Sequence, residues 1–74
     1  MDPQVTWNQM LRAYAAEEWP DLREHANALS TWLGRGGFPP TVITDPLMGD
    51  DFNFALAIVG CKYALAKALK KENE

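Results

Sequence analysis

Apolar residues in the first third of the chain recur at helical spacing. Trp7, Met10, Leu11 and Tyr14 stand at i, i+3, i+4 and i+7. This spacing puts all four side chains on one face, which is typical of an amphipathic helix. The pattern predicts a first helix over residues 5–17.

Two start signals compete for this helix. Thr6 and Gln9 have the spacing of a capping box, in which each side chain bonds the backbone of the other residue. Asp2, which precedes Pro3, offers an earlier start. We favour the capping box at Thr6 and keep Asp2 as the alternative.

A second helix is predicted over residues 20–33. Pro20 disfavours a helical Trp19 and suits the first position of a helix, so the chain should reverse at this pair in an αα-hairpin. One face of this helix is apolar, with His25 and Trp32 at its edges; it carries Leu22, Ala26, Leu29 and Leu33. The opposite side is expected to face solvent: Arg23, Glu24, Asn27 and Thr31. Of the three tryptophans, Trp19 is expected to be the most exposed.

The third helix is predicted over residues 51–70, capped by Asp50 or Asp51 and ending in lysines, as the helix dipole favours. Spacing at 100° per residue divides it into three sides. One apolar side holds Phe54, Ile58, Leu65 and Leu69. A second holds Phe52, Leu56, Val59 and Tyr63. A narrow strip of small and polar residues is the candidate for solvent: Asn53, Ala57, Gly60, Ala64, Lys67 and Lys71.

Glycine and proline are concentrated between the second and third helices. We expect a structural turn there, and at least one of its glycines should adopt a positive φ. The turn residues are Gly34, Gly36, Gly37, Phe38, Pro39 and Pro40. Phe38 is expected to tuck under the helix ends. Residues 41–44 are β-prone but too few for more than an extended segment.

The run from Trp32 to Pro40, W-L-G-R-G-G-F-P-P, follows an amphipathic helix. It resembles a run found in short uncharacterised proteins of bacterial, phage and environmental origin. The resemblance covers under a sixth of the chain. It implies a recurrent unit in which a helix stops and the chain turns, and it transfers no catalytic residue.

The three helices predict an all-α single domain over residues 1–74. The composition then excludes several classes of protein and partner. With 47% hydrophobic residues, the chain is too apolar for a disordered protein. A net charge of -3 argues against nucleic acid as a partner. The single cysteine, Cys61, allows no internal disulfide. The N-terminal residues lack the features of a signal peptide, and the most apolar stretch, residues 54–61, is too short to span a membrane. We therefore expect a cytoplasmic protein.

Candidate chemistry is sparse. His25 and Cys61 are the only histidine and cysteine, so a nucleophilic site would need them to meet across two helices with a third group. Asp45, Asp50 and Asp51 cluster around a glycine but lack the order of a calcium loop. The glycines at 34, 36 and 37 are not followed by the lysine and helix of a phosphate-binding loop. We predict no catalytic, metal or cofactor site, and no enzyme.

The leading hypothesis for function is protein interaction. The third helix has more apolar surface than two short helices can cover, so we predict a homodimer or a larger symmetric assembly, with another protein as the alternative partner. The predicted interface is Phe54, Ile58, Leu65 and Leu69. Residues 34–49 could instead fold back over this side as a lid. The alternative function is binding of a small molecule in an apolar cavity lined by Trp7, Tyr14 and Trp32.

Overall fold

The architecture comes from a computed structural model that describes residues 1–44 and 47–74. Its three helices are α1 (Pro3–Ala15), α2 (Trp19–Gly34) and α3 (Gly49–Glu72). Helix α2 packs against both of the others, while α1 and α3 touch each other much less. No strand occurs in the described ranges, and residues 41–44 pair with nothing in a sheet. The all-α prediction of an N-terminal hairpin packed on a long C-terminal helix is confirmed.

Helix α1 starts at the earlier of the two signals. The Asp2 carboxylate accepts hydrogen bonds from the backbone N–H groups of Gln4 at 3.0 Å and Val5 at 3.3 Å. Pro3 takes the first helical position, where its missing N–H costs nothing. The predicted cap at Thr6 is wrong: its hydroxyl instead donates to the Asp2 carbonyl from inside the helix. An aspartate before a proline outweighed the capping box.

The first reversal lies two residues before the predicted position. The Glu18 N–H donates to the Ala13 carbonyl at 2.9 Å, and the Glu17 N–H donates to the Tyr14 carbonyl at 3.1 Å. This pair of bonds is the Schellman motif, in which the residue after the helix cap adopts a left-handed conformation. Glu17 does so, with φ of 57°. Helix α2 then begins at Trp19, so the expectation that Pro20 excludes a helical Trp19 is wrong.

Helix α2 forms the centre of the core. The four residues of its predicted apolar face are at most 1% exposed: Leu22, Ala26, Leu29 and Leu33. Its predicted polar side is exposed, and His25 and Trp32 lie at the edges of the apolar face with intermediate exposure. From α1, the core receives Trp7, Met10 and Ala13. The helical period therefore predicted the orientation of α2.

Helix α3 turns its small residues inward. Its buried residues are Asn53, Ala57, Cys61, Ala64 and Ala68. The prediction that the strip containing Asn53, Ala57 and Ala64 faces solvent is wrong. Short side chains let a helix approach its neighbour closely, so α3 can seat against the leucines of α2. Asp50 and Asp51 lie in its first turn, but no side-chain cap bond forms at this end.

The turn after α2 is a second Schellman motif. The Gly37 N–H donates to the Trp32 carbonyl at 2.9 Å, and the Gly36 N–H donates to the Leu33 carbonyl at 3.1 Å. Gly36 has φ of 85°, which confirms the predicted positive φ. The Gly37 backbone lies against the Trp32 indole so closely that a Cβ there would overlap the ring.

Phe38 does not tuck under the helix ends. It is 62% exposed and packs edge-to-face on Trp32, with ring centroids 5.5 Å apart. The Trp32 Nε1–H donates to the Phe38 carbonyl at 2.9 Å. Pro40 is the buried residue of this segment, and Pro39 is partly buried. The indole of Trp32 therefore organises the turn.

Polar side chains hold the extended segment that follows. The Asn53 Oδ1 accepts hydrogen bonds from the backbone N–H groups of Val42 at 2.8 Å and Ile43 at 2.9 Å. The Gln4 Oε1 accepts another from the Thr41 N–H at 2.7 Å. These bonds fix the segment to α1 and α3 without a sheet partner. The segment therefore lies at the first turns of α3. The alternative in which residues 34–49 fold back as a lid over the predicted interface is met only to this extent.

Candidate interaction surfaces

An apolar row follows the side of α3 that faces away from the core. We call it the outer row; it consists of Phe52, Leu56, Val59, Tyr63 and Ala66. Its spacing of four, three, four and three residues is that of a helix seam which meets another helix. Val59 is 64% exposed and Tyr63 is 57% exposed, while Phe52 and Leu56 are partly buried. Exposed Ala55 lies alongside the row.

The predicted interface side is partly covered by the chain itself. Phe54, Ile58 and Leu65 are partly buried and pack against the core, whereas Leu69 is 49% exposed. Because the strip of small residues faces the core, this neighbouring side lies at the edge of the core, and Val59 and Tyr63 of the outer row face solvent. The outer row, with Val59 64% and Tyr63 57% exposed, therefore offers more apolar surface to a partner than the predicted interface side, of which Leu69 is the exposed member.

A groove of about 280 Å³ separates α1 from α3. Its lining is almost wholly apolar: Trp7, Met10, Leu11, Tyr14, Leu22, Gly60, Tyr63 and Ala64. Gly60 lies under the Trp7 indole, because a Cβ at this position would come within 2.7 Å of Cη2 of the ring. Of the aromatic residues predicted to line a cavity, Trp7 and Tyr14 do so, while Trp32 lies at the turn after α2. The groove is open on one side, unlike an enclosed ligand cavity.

Two tyrosines bridge α1 and α3 at the groove. The hydroxyl oxygens of Tyr14 and Tyr63 are 3.1 Å apart, and the rings are tilted with centroids 6.0 Å apart. The hydrogen bond to Tyr63, together with burial, raises the pKa of Tyr14. Trp19 packs edge-on against the Tyr14 ring at 6.0 Å. This aromatic cluster holds α1 beside α3 where the backbones are far apart.

His25 and Cys61 do not form a nucleophilic pair. Cys61 is fully buried in the core, and burial raises the pKa of its thiol to about 11. At neutral pH such a thiol is protonated and out of reach of a substrate. His25 lies in a shallow depression between α1 and α2, beside Arg12 and Asp21. The two residues occupy different environments, so neither can activate the other.

The other candidate sites have structural explanations. The N–H groups of Gly36 and Gly37 are used in the Schellman motif, so they do not converge on an anion. In the described part of the chain, no group of three or more His, Cys, Asp or Glu side chains could hold a metal ion. Asp45, the first of the three clustered aspartates, lies outside the described residues. Asp50 and Asp51 contribute their charge to the positive end of α3.

Helix α3 is also long and apolar enough to cross a membrane. It has 24 residues, and an 18-residue window reaches a mean hydropathy of 1.3, with 28% of that window buried. The expectation of no span rested on residues 54–61 alone, whereas the whole helix meets the criteria of length and composition. A core helix of a water-soluble protein meets the same criteria, and the inner face of α3 is packed against α2.

Comparison with protein-family models, with curated proteins and with solved structures found no match. Function must therefore be argued from the surfaces of this chain. The fold and the exposed apolar row define a small three-helix protein whose longest helix exposes large apolar side chains, with Val59 and Tyr63 more than half exposed.

The sequence shows the outer row as one of two apolar sides of the third helix, but it does not show which of the two faces solvent. Phe52, Leu56, Val59 and Tyr63 were recognised as one apolar side of the third helix. The two apolar sides have similar composition, so neither is the obvious one to face inward. Only the burial of Ala57 and Ala64 shows which side turns to solvent.

Proposed function

We propose that this protein is a cytoplasmic helical interaction protein without catalytic activity, which binds another polypeptide through the outer row of α3. The observation that carries the proposal is the exposure of Val59 and Tyr63 on a helix whose inner face already completes the core. Burying a large apolar side chain stabilises a complex by about 1.5–3 kcal/mol. Several such residues in one row offer enough for a stable contact.

The charge pattern supports a protein partner over nucleic acid. The chain carries ten acidic against seven basic residues, so it has no excess of positive charge with which to bind a phosphate backbone. Cys61 is free and buried, and a fold that is held together without a disulfide agrees with a cytoplasmic setting.

A photo-crosslinking amino acid tests whether the outer row is covered. We would place p-benzoylphenylalanine at position 59, and at position 27 as the matched control, because Asn27 is exposed on the polar side of α2. Irradiation in the native host cells should yield a protein adduct from position 59 and none from position 27. Equal adducts from both positions, or none from position 59, would contradict the proposal.

The groove between α1 and α3 favours a second candidate, the binding of a small apolar molecule. Among its lining residues, the polar side-chain groups are the paired Tyr14 and Tyr63 hydroxyls and the indole N–H of Trp7. The experiment is a titration with 8-anilinonaphthalene-1-sulfonate, with the fluorescence of the bound dye as the signal. Saturable binding of one molecule, lost when Leu11→Trp fills the groove and retained in the outer-row variant Val59→Trp, would favour this function over interaction.

A further inference from the structure

We propose that the polypeptide which covers the outer row is a second copy of this chain, packed antiparallel along α3 about a two-fold axis. This inference rests on the proposed function, because it names the partner of the same surface. A two-fold contact uses the same patch on both subunits, and one continuous row is therefore sufficient to build it.

The charges of α3 argue for this partner and this direction. Asp50 and Asp51 lie in the first turn, and Lys70 and Lys71 lie in the last turn. At 100° per residue, Lys70 is in line with the outer row and Asp51 is the nearer of the two aspartates, whereas Lys71 is turned away and pairs with Glu74 at 3.6 Å. An antiparallel copy brings Lys70 of one α3 toward Asp51 of the other, while Glu72 and Glu74 pair with Arg23 and Lys71 of their own chain. A parallel copy would place acid beside acid and lysine beside lysine, which is unfavourable.

The shape of the row also suits a helix of the same kind. Val59 lies near the middle of the row, and the exposed alanines Ala55 and Ala66 lie on either side of it along the helix. Small residues at these positions allow two helix axes to approach to about 8 Å. Lys62 lies about 80° around the helix from the centre of the row, so its ammonium can remain in water.

The elongated form of the molecule leaves room for such a contact. Its principal extents are 41, 23 and 18 Å, and 24 residues of α3 span about 36 Å of the longest. Helices α1 and α2, with 13 and 16 residues, pack on the inner side. Two copies can therefore meet along nearly the full length of α3.

Sedimentation velocity over a concentration series is the first test. The wild-type protein should sediment as a dimer, and Val59→Asp should raise the dissociation constant at least about 100-fold by burying a charge in the contact. Asn27→Asp, on the polar side of α2, is the matched control and should leave the constant unchanged. Circular dichroism checks that both variants keep their helix content. A wild-type protein that remains monomeric at millimolar concentration overturns the inference.

Charge reversal tests the direction. The pair Asp50→Lys with Asp51→Lys, and separately Lys70→Glu with Lys71→Glu, should each weaken the dimer about tenfold. All four changes together should restore it in an antiparallel dimer. Inside a single chain, the two ends of α3 are too far apart to compensate each other, and both reversals oppose the helix dipole. Failure of the fourfold variant to recover would overturn the antiparallel arrangement.

The same protein variants distinguish a second copy of this chain from a different protein or a membrane surface on the outer row. An adduct at position 59 with a different protein, from a chain that sediments as a monomer, would sustain the proposed function and overturn the second copy. A monomer that floats with vesicles of phosphatidylglycerol and phosphatidylcholine, and loses this binding in Val59→Asp, would assign the outer row to a membrane surface and overturn both proposals.

Discussion

The inner side and the outer row of α3 differ in the size and in the solvent exposure of their side chains. Its inner side holds alanines, a cysteine and an asparagine, and is almost completely inaccessible to solvent. Its outer row holds valine, tyrosine and leucine, and leaves Val59 and Tyr63 more than half exposed. If hydrophobicity alone decided the orientation of α3, the outer row would face the core and the alanine-rich side would face solvent. The difference shows that close approach between helices governs the seating of α3, because the leucines of α2 already fill the core volume.

The inner side also contains a polar group with a defined task. Asn53 is 8% exposed, and its Oδ1 satisfies the two N–H groups of Val42 and Ile43. A leucine could not do this, and both donors would lose their partner on burial. Residues on this side are therefore selected by size and hydrogen bonding, whereas the outer row is apolar apart from the Tyr63 hydroxyl, which bonds that of Tyr14.

The largest effect should come from a charge placed on the inner side. Ala57→Asp should lower the free energy of unfolding by about 3 kcal/mol or more, because Ala57 is fully buried and no partner is available for a carboxylate. In dilute, monomeric protein, Ala55→Asp, two residues away on the exposed side, should cost less than about 1 kcal/mol, mostly in helix propensity. Urea denaturation of both variants measures the contrast. Equal losses would mean that α3 is not oriented as described.

Loss of the Asn53 side chain should have the next largest effect. Asn53→Ala leaves the Val42 and Ile43 N–H groups without their acceptor and should lower the free energy of unfolding by about 2 kcal/mol. Asn53→Asp keeps an acceptor oxygen at the same place and should lose less. Hydrogen exchange at the two amides provides a local measurement. Unchanged protection in Asn53→Ala would mean that this side chain does not hold the segment.

Alkaline pH should lower the free energy of unfolding, because the buried Cys61 thiol then tends to ionise. Burial raises the pKa of the thiol from 9.0 to about 11, so the unfolded chain releases this proton at a lower pH than the folded chain does. The contribution to stability is complete below pH 9 and declines between pH 9 and about 11. Cys61→Ala should show a smaller decline over this range in denaturant midpoints. An identical pH profile for both proteins would exclude the thiol as the source.

The smallest effect on folding should come from the outer row. In dilute, monomeric protein, Val59→Asp should change the free energy of unfolding by less than about 0.5 kcal/mol, because the side chain is 64% exposed and the two residues have similar helix propensities. Thermal unfolding at micromolar concentration measures this. A loss of several kcal/mol would show that the row stabilises the monomer and would end the contrast between the sides.

The sequence by itself determined the class of fold. Periodicity placed the three helices to within two residues, as in α2, where Leu22, Ala26, Leu29 and Leu33 face the core as predicted. The positive φ at Gly36 followed from local chemistry, because glycine adopts it without steric cost. The same backbone motif at Glu17 could not be predicted from residue type, because glutamate disfavours a positive φ and the backbone hydrogen bonds at the end of α1 hold it there.

The orientation of α3 was decided by tertiary structure. From Phe52 to Leu69 almost every residue is apolar, so no single stripe marks the buried side. The choice depends on what α1 and α2 present: the leucines of α2 admit a close neighbour, and the Trp7 indole covers Gly60. Whether a small or a large side chain fits on the inner side of a helix depends on the shape of the helices that it packs against. For this reason the sequence named two apolar sides, and only the packed molecule shows that the outer row is the one left open.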